Sequence, residues 1–174
     1  MTIQGLVNVL TPPGSPFESG HGKRWPKFEG EIAFPADYIE FINVYGSGRI
    51  ADFVVIFNPF SNDEGTNFFE QFKQVLEDFR FLEASGGCYN YVVYPEAEGL
   101  IPVGVTDNGD YLFWVFDADI NSDEWLTAMV SARSPEAEYF NCGLGRLLES
   151  VLSGEVKAKS LPDCFPGLID FEPL

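Results

Sequence analysis

Residues 101–116 read IPVGVTDNGDYLFWVF. Two apolar runs, Ile101 to Val105 and Tyr111 to Phe116, flank the polar linker Thr106-Asp107-Asn108-Gly109-Asp110. Asn-Gly is the strongest short-range hairpin signal, because both residues tolerate the positive φ of a type I′ turn. The stretch therefore predicts two antiparallel strands in the middle of the chain, and every other element has to be arranged around that pair.

Working upstream, Tyr91 to Tyr94 (YVVY) reads as a further strand. Before it, Asn67 to Ala84 carries Phe68, Phe69, Phe72, Val75, Leu76, Phe79 and Leu82 on one stripe at helical spacing. Asn67 with Glu70 three residues on is a variant capping box, and Gly86-Gly87 ends the helix. Ile50 to Phe57 (IADFVVIF) reads as one strand stopped by Asn58-Pro59. In FPADYIEFINVYGSG, Phe34 to Gly48, Pro35 suits a first helical turn. Tyr38, Phe41, Ile42 and Tyr45 keep helical spacing there, and Gly46 suits a left-handed stop. Residues 11–30 are rich in Pro, Gly and polar groups, an irregular arm with Trp25 as its large anchor.

Downstream, Trp125 to Ala132 reads as a strand. Ser134-Pro135-Glu136 then reads as the start of a helix running through Phe140, Leu144, Leu147, Leu148, Val151 and Leu152 to Gly154. Helices flank the strand block without alternating with single strands. The expected fold is thus α+β, a mostly antiparallel sheet with helices packed against one face. We expect one domain over residues 1–174, with an irregular arm at 1–24 and a tail at 155–174.

A chain of 174 residues fits one domain. Its 45% apolar and 16% aromatic content, with 17 Phe, excludes a disordered chain and supplies a full core. No apolar run approaches the roughly 18–20 residues needed to cross a bilayer. The opening MTIQGLVNVLTPPG lacks the basic start of a signal peptide. Cys88, Cys142 and Cys164 are widely spaced and form no CxxC pair, which points away from zinc and disulfide frameworks. A reducing cytoplasm is the expected setting.

The net charge is −17, from 10 basic and 27 acidic residues, and it is uneven. Residues 1–50 carry a net −1 and residues 51–174 a net −16. Within 96–138 there are ten acids and one base, Arg133. Such a field repels nucleic acid and anionic membranes and attracts cationic partners. The small basic cluster Lys23, Arg24 and Lys27 is no nucleic-acid footprint on a chain of this charge.

The residues offer little to catalysis. His21 is the single histidine, set among glycines. No GxSxG elbow occurs, and Gly46-Ser47-Gly48 and Gly143-Leu144-Gly145 lack the remaining glycines of a phosphate loop. Asp117, Asp119, Asn121 and Asp123 alternate as early calcium-loop ligands do. However, Ser122 stands where an EF-hand needs Gly, and Ala128 where it needs Glu. We expect no enzyme activity, no cofactor and no metal.

Several segments, taken in order, resemble the SUKH superfamily, a group that includes fungal cell-wall-assembly regulators and bacterial relatives. They are Trp25…Glu29-Gly30…Phe34-Pro35-Ala36-Asp37-Tyr38…Phe41…Tyr45-Gly46-Ser47-Gly48, then Asn58-Pro59-Phe60, then Ile101-Pro102-Val103-Gly104 through Asp117, and the closing helix before Gly154. The resemblance covers about residues 25–154. The chain departs from the pattern in having Phe34 where Leu is usual and little regular helix before Trp25. The resemblance implies a non-catalytic protein-binding domain. Bacterial members are commonly immunity proteins that neutralise toxin domains, often basic nucleases, whereas fungal members act as regulators or scaffolds. A cationic, nuclease-type toxin domain is the partner expected, with a regulatory scaffold binding a non-toxin protein as the alternative. The residues expected to meet the partner are Asp107, Asp110, Asp117, Asp119, Asp123 and Glu124.

Overall fold

A computed structural model describes residues 3–132 and 134–174; Met1, Thr2 and Arg133 lie outside the described residues. In chain order the elements are α1 (Gln4–Val9), α2 (Ala36–Val44), β1 (Gly48–Ile50), β2 (Val54–Ile56), α3 (Phe68–Ala84), β3 (Leu100–Thr106), β4 (Tyr111–Val115), β5 (Thr127–Val130), β6 (Ala137–Phe140), α4 (Leu144–Leu152) and β7 (Phe171–Pro173), with a single 3₁₀ turn at Ser122–Glu124. Seven strands among the described residues form one sheet in the order β6-β5-β4-β3-β2-β1-β7, and every neighbouring pair is antiparallel. The fold is α+β. No helix among the described residues is long and apolar enough to cross a membrane.

The central hairpin is present, with Ile101 opposite Trp114 and Val105 opposite Tyr111. Its turn differs from the type I′ expectation. Positive φ falls on Gly109, at +80°, and not on Asn108. The Gly109 amide donates to the Thr106 carbonyl at 3.0 Å, and the Thr106 amide to Asp110 O at 2.8 Å. A glycine in the left-handed region after a tight turn closes three- and four-residue hairpin loops in this way.

Helix α2 starts after Pro35 and stops before Gly46, whose φ is +71°. A side chain at Gly46 would collide with the backbone of Phe17, so that position requires glycine. Helix α3 is capped by Asn67, whose side-chain oxygen accepts the amides of Phe69 and Glu70.

Four further sequence expectations are corrected. The run 50–57 is not one strand but the hairpin β1–β2, folded at Ala51 and Asp52 with φ of +50° and +49°. Asp tolerates this region, but Ala51 ahead of it gives no turn signal within an apolar run. Residues 91–94 form no strand; only Val93 makes an isolated bridge, to Leu100. Ser134 does not open a helix. Its hydroxyl accepts the Glu136 amide at 3.1 Å, which mimics a cap, yet the chain then continues extended as β6. The helix begins only at Leu144, where Leu144, Leu147, Leu148, Val151 and Leu152 set a true helical period. Finally, the arm and tail carry structure: α1 buries Leu6 within residues 1–24, and β7 pairs with β1 at the sheet edge. Trp25 anchors the arm edge-on against Phe34, Tyr38 and Phe60, with centroids 5.7, 6.0 and 5.1 Å away.

Strand β4 divides the core. Leu112 and Trp114 pack with Leu6, Tyr38, Phe41, Leu147 and Leu148, from α1, α2 and α4. Phe113, facing the other way, clusters with Leu100, Ala128, Val130 and Val75 of α3, and Phe79 meets it edge-on at 5.5 Å. Coverage is therefore two-sided: α3 reaches the Phe113 cluster through Val75 and Phe79, while its Phe68, Phe72 and Leu76 join the cluster of α1, α2 and α4. Strands β2, β3 and β5 are buried at nearly every position for this reason.

Candidate functional site

With both faces covered, polar side chains are left to the ends and edges of the sheet. At one end, where β3 begins and β4 finishes, three connections meet. The Phe116 amide donates to Gly99 O at 2.9 Å, joining the 116–126 connection to the 94–99 turn. The rings of Tyr94 and Phe116 meet edge-on at 4.9 Å. Phe28, from the third connection, reaches Trp125 at 6.4 Å, and Asp123 accepts the Ala36 amide at 2.6 Å.

These connections carry Glu29, Glu31, Glu96, Glu98, Asp117, Asp119, Asp123 and Glu124, most of them exposed. Lys27 pairs with Glu31 at 3.0 Å. No ion pair among the described residues engages the others. The Tyr94 phenol is pushed up by burial and by the charge of Glu29, and Tyr139 by burial and by Glu98.

In the middle of this acidic end lies a cleft of about 320 Å³. Ile32, Phe116, Ile120 and Trp125 give it an apolar lining, and Asp117, Asn121 and Ser122 its polar one. Trp125 is 4% exposed and forms floor, whereas Ile120 stands 40% exposed at the mouth. The Trp125 indole N–H donates to Asp117 O at 3.0 Å, so it is already satisfied by the protein. The loop is held by its own side chains: Asp117 accepts the Asp119 amide and Asn121 the Asp123 amide, both at 2.9 Å.

The six acids expected at an interface do not come together. Asp117, Asp119, Asp123 and Glu124 share the acidic end. Asp107 and Asp110 sit at the opposite end, in the β3–β4 turn, about 17 Å away along a five-residue strand at ~3.3 Å per residue. Asp107 pairs with Arg49, which also holds Asp52 at 2.9 Å. Asp110 is 5% exposed and structural. One carboxylate oxygen accepts the Thr106 hydroxyl at 2.8 Å, and the other accepts the Ala132 amide at 2.9 Å, tying the hairpin turn to β5.

The cleft residues Ile32, Phe116 and Ile120 were not singled out by sequence. The available signal was Ile120 itself, a lone aliphatic in DADINSDE, and Ile32 following Glu29 and Glu31.

In the DADINSD run Asp117, Asn121 and Asp123 each accept one backbone amide through a single side-chain oxygen. No group of three or more His, Cys, Asp or Glu among the described residues is placed to hold a metal ion. A second polar network, distant in sequence, is architectural. Asn58 is fully buried and donates to Glu18 O and to the Ser47 hydroxyl, while Phe60 N donates to its side-chain oxygen. Glu18 in turn accepts from Ser47 at 2.7 Å and from the Asn62 amide at 2.8 Å. Burial pushes its carboxyl up, but those hydrogen bonds outweigh burial and hold it below the ordinary Glu value.

No family model, no curated protein and no solved structure matches this chain, so its architecture and surface chemistry are the ground for a functional reading.

Proposed function

We propose that the chain is a non-catalytic, cytoplasmic protein-binding domain of the SUKH kind. In this reading it is an immunity protein that neutralises a cationic, nuclease-type toxin domain. The observation that carries the proposal is the acidic end of the sheet, where three connections bearing eight carboxylates converge around an apolar cleft, with Lys27 paired to Glu31 and Arg80 donating to Tyr94 O. A nuclease domain is basic because it holds phosphates. A carboxylate-lined end presents the same sign of charge and raises the association rate through steering. The clustering of ten acids in residues 96–138 supports the same reading from the sequence.

The test is growth rescue combined with a salt-dependent pulldown against the toxin domain encoded beside the gene. Rescue, with binding that weakens steeply as salt rises, is expected. Absence of rescue together with binding to a housekeeping protein would replace this reading with that of a regulatory scaffold.

A further inference from the structure

The acidic end is more than a charged surface, because its centre is apolar. Ile120 is exposed in a loop of carboxylates, and beneath it Phe116 and Trp125 meet edge-on at 5.6 Å with an interplanar angle of 74°. A purely aliphatic side chain would fill such a cleft without using the charge around it. An anionic one would be repelled, and an ammonium would have to shed tightly held water against an apolar lining. A guanidinium is planar and weakly hydrated, stacks on aromatic rings and pairs with carboxylates in two-point fashion. The Trp125 N–H is already taken by Asp117 O, so it presents no free donor to a cation, and with Trp125 only 4% exposed the open aromatic surface is chiefly that of the half-buried Phe116.

Building on the proposal of a cationic protein partner, we infer that this cleft receives an arginine side chain of that partner. The aliphatic stem lies against Ile32 and Ile120, and the guanidinium meets the Phe116–Trp125 aromatic pair and the Asp117 carboxylate. The outlying acids, Glu96, Glu98, Asp119 and Glu124, then govern how fast the partner arrives, and the cleft governs how long it stays.

The inference can be tested without the toxin. The three tryptophans give three indole N–H signals in a nitrogen–proton correlation spectrum. The probes are the acetylated, amidated pentapeptide Gly-Gly-Arg-Gly-Gly and its lysine counterpart. The arginine peptide is expected to shift the Trp125 indole saturably, with at least a severalfold smaller shift from the lysine peptide at the same concentration. In Ile120→Ser the arginine response should fall severalfold, while the unfolding midpoint and the Trp25 and Trp114 signals hold. Equal responses to the two peptides would overturn the inference, as would an undiminished response in the folded variant. A chain that rescues cells yet shows no arginine-selective shift keeps its immunity function and loses the arginine cleft. A selective shift without rescue upholds the cleft and sends the search for a partner elsewhere.

Discussion

Asp37 in the first turn of α2 accepts, through Oδ2, the amide of Gly145 at 2.9 Å in the first turn of α4, 108 residues further along the chain. Helix α4 starts after Gly143, which has no side chain to cap it, and α2 starts after Pro35, which has none suitable. Asp37 supplies the missing acceptor for α4, and Asp123 does the same for α2 by accepting from Ala36 N. Two helices that pack on the same face of the sheet are thus capped from elsewhere in the fold. Replacing Asp37 by Ala is expected to cost about 1–3 kcal/mol, from the lost cap and the orphaned Gly145 amide. Asp37→Asn retains an acceptor and should cost clearly less. Urea unfolding of the two variants measures the difference.

Acid titration should separate two carboxylates of opposite behaviour. Burial pushes the Asp37 carboxyl above the ordinary Asp value, although the Gly145 and Tyr38 amides oppose it. The folded chain therefore holds that proton more tightly than the unfolded chain. Its contribution is fully present below the unfolded value and is lost as pH rises through the folded one. Glu18 is held low, so its contribution is present above the unfolded Glu value and is lost as pH falls through its lower folded value. Relative to wild type, Glu18→Gln should lose its deficit towards low pH. The wild-type chain compared with Asp37→Asn should fare better in acid than at neutrality. Urea midpoints across pH 2–7 give both signs, and parallel curves would refute the assignment.

The β1–β2 turn holds Ala51 and Asp52 at positive φ, which costs a residue with a Cβ roughly 1–2 kcal/mol. Asparagine tolerates this region better. Ala51→Asn is expected to raise stability by about 0.5–1 kcal/mol, seen as a higher urea midpoint at unchanged slope.

At the acidic end, Asp119→Asn combined with Glu124→Gln should leave stability within about 0.5 kcal/mol of wild type. The double variant should slow association with the cationic partner and flatten its salt dependence. Asp107→Asn, at the far end of the sheet, should leave the association rate much nearer to wild type. Stopped-flow association at two salt concentrations distinguishes the two ends.

Much of this architecture could be read from periodicity. The IPVGVTDNGDYLFWVF hairpin and the long helix ending at Gly86 follow from alternation, spacing and glycine placement, all local signals. The misreadings arose where local signals conflict with tertiary ones. Ala51 and Asp52 turn the chain inside an apolar run with no Gly, Pro or Asn to mark it, and the Ser134 hydroxyl makes a cap-like bond ahead of a strand. Tyr91 to Tyr94 is apolar enough for a strand, but only Val93 finds a partner. Of the acids marked for recognition, four share one end, whereas Asp110 was drawn inside by Thr106 and Ala132. The cleft was beyond sequence reading because residues 32–33, 116–118, 120–122 and 125 meet only after the sheet has formed.

The sheet roofed on both sides has a consequence for how such a protein diversifies. Its stability rests on Trp114, Phe113 and the helices above and below them, and that core borders the acidic rim through a few aromatic side chains, Phe28, Phe116 and Trp125 among them. Substitutions in the connections can therefore retune what is recognised while the scaffold stays constant. A lineage of such chains would be expected to vary fastest at its rim and slowest along β4, changing its grip without rebuilding its frame.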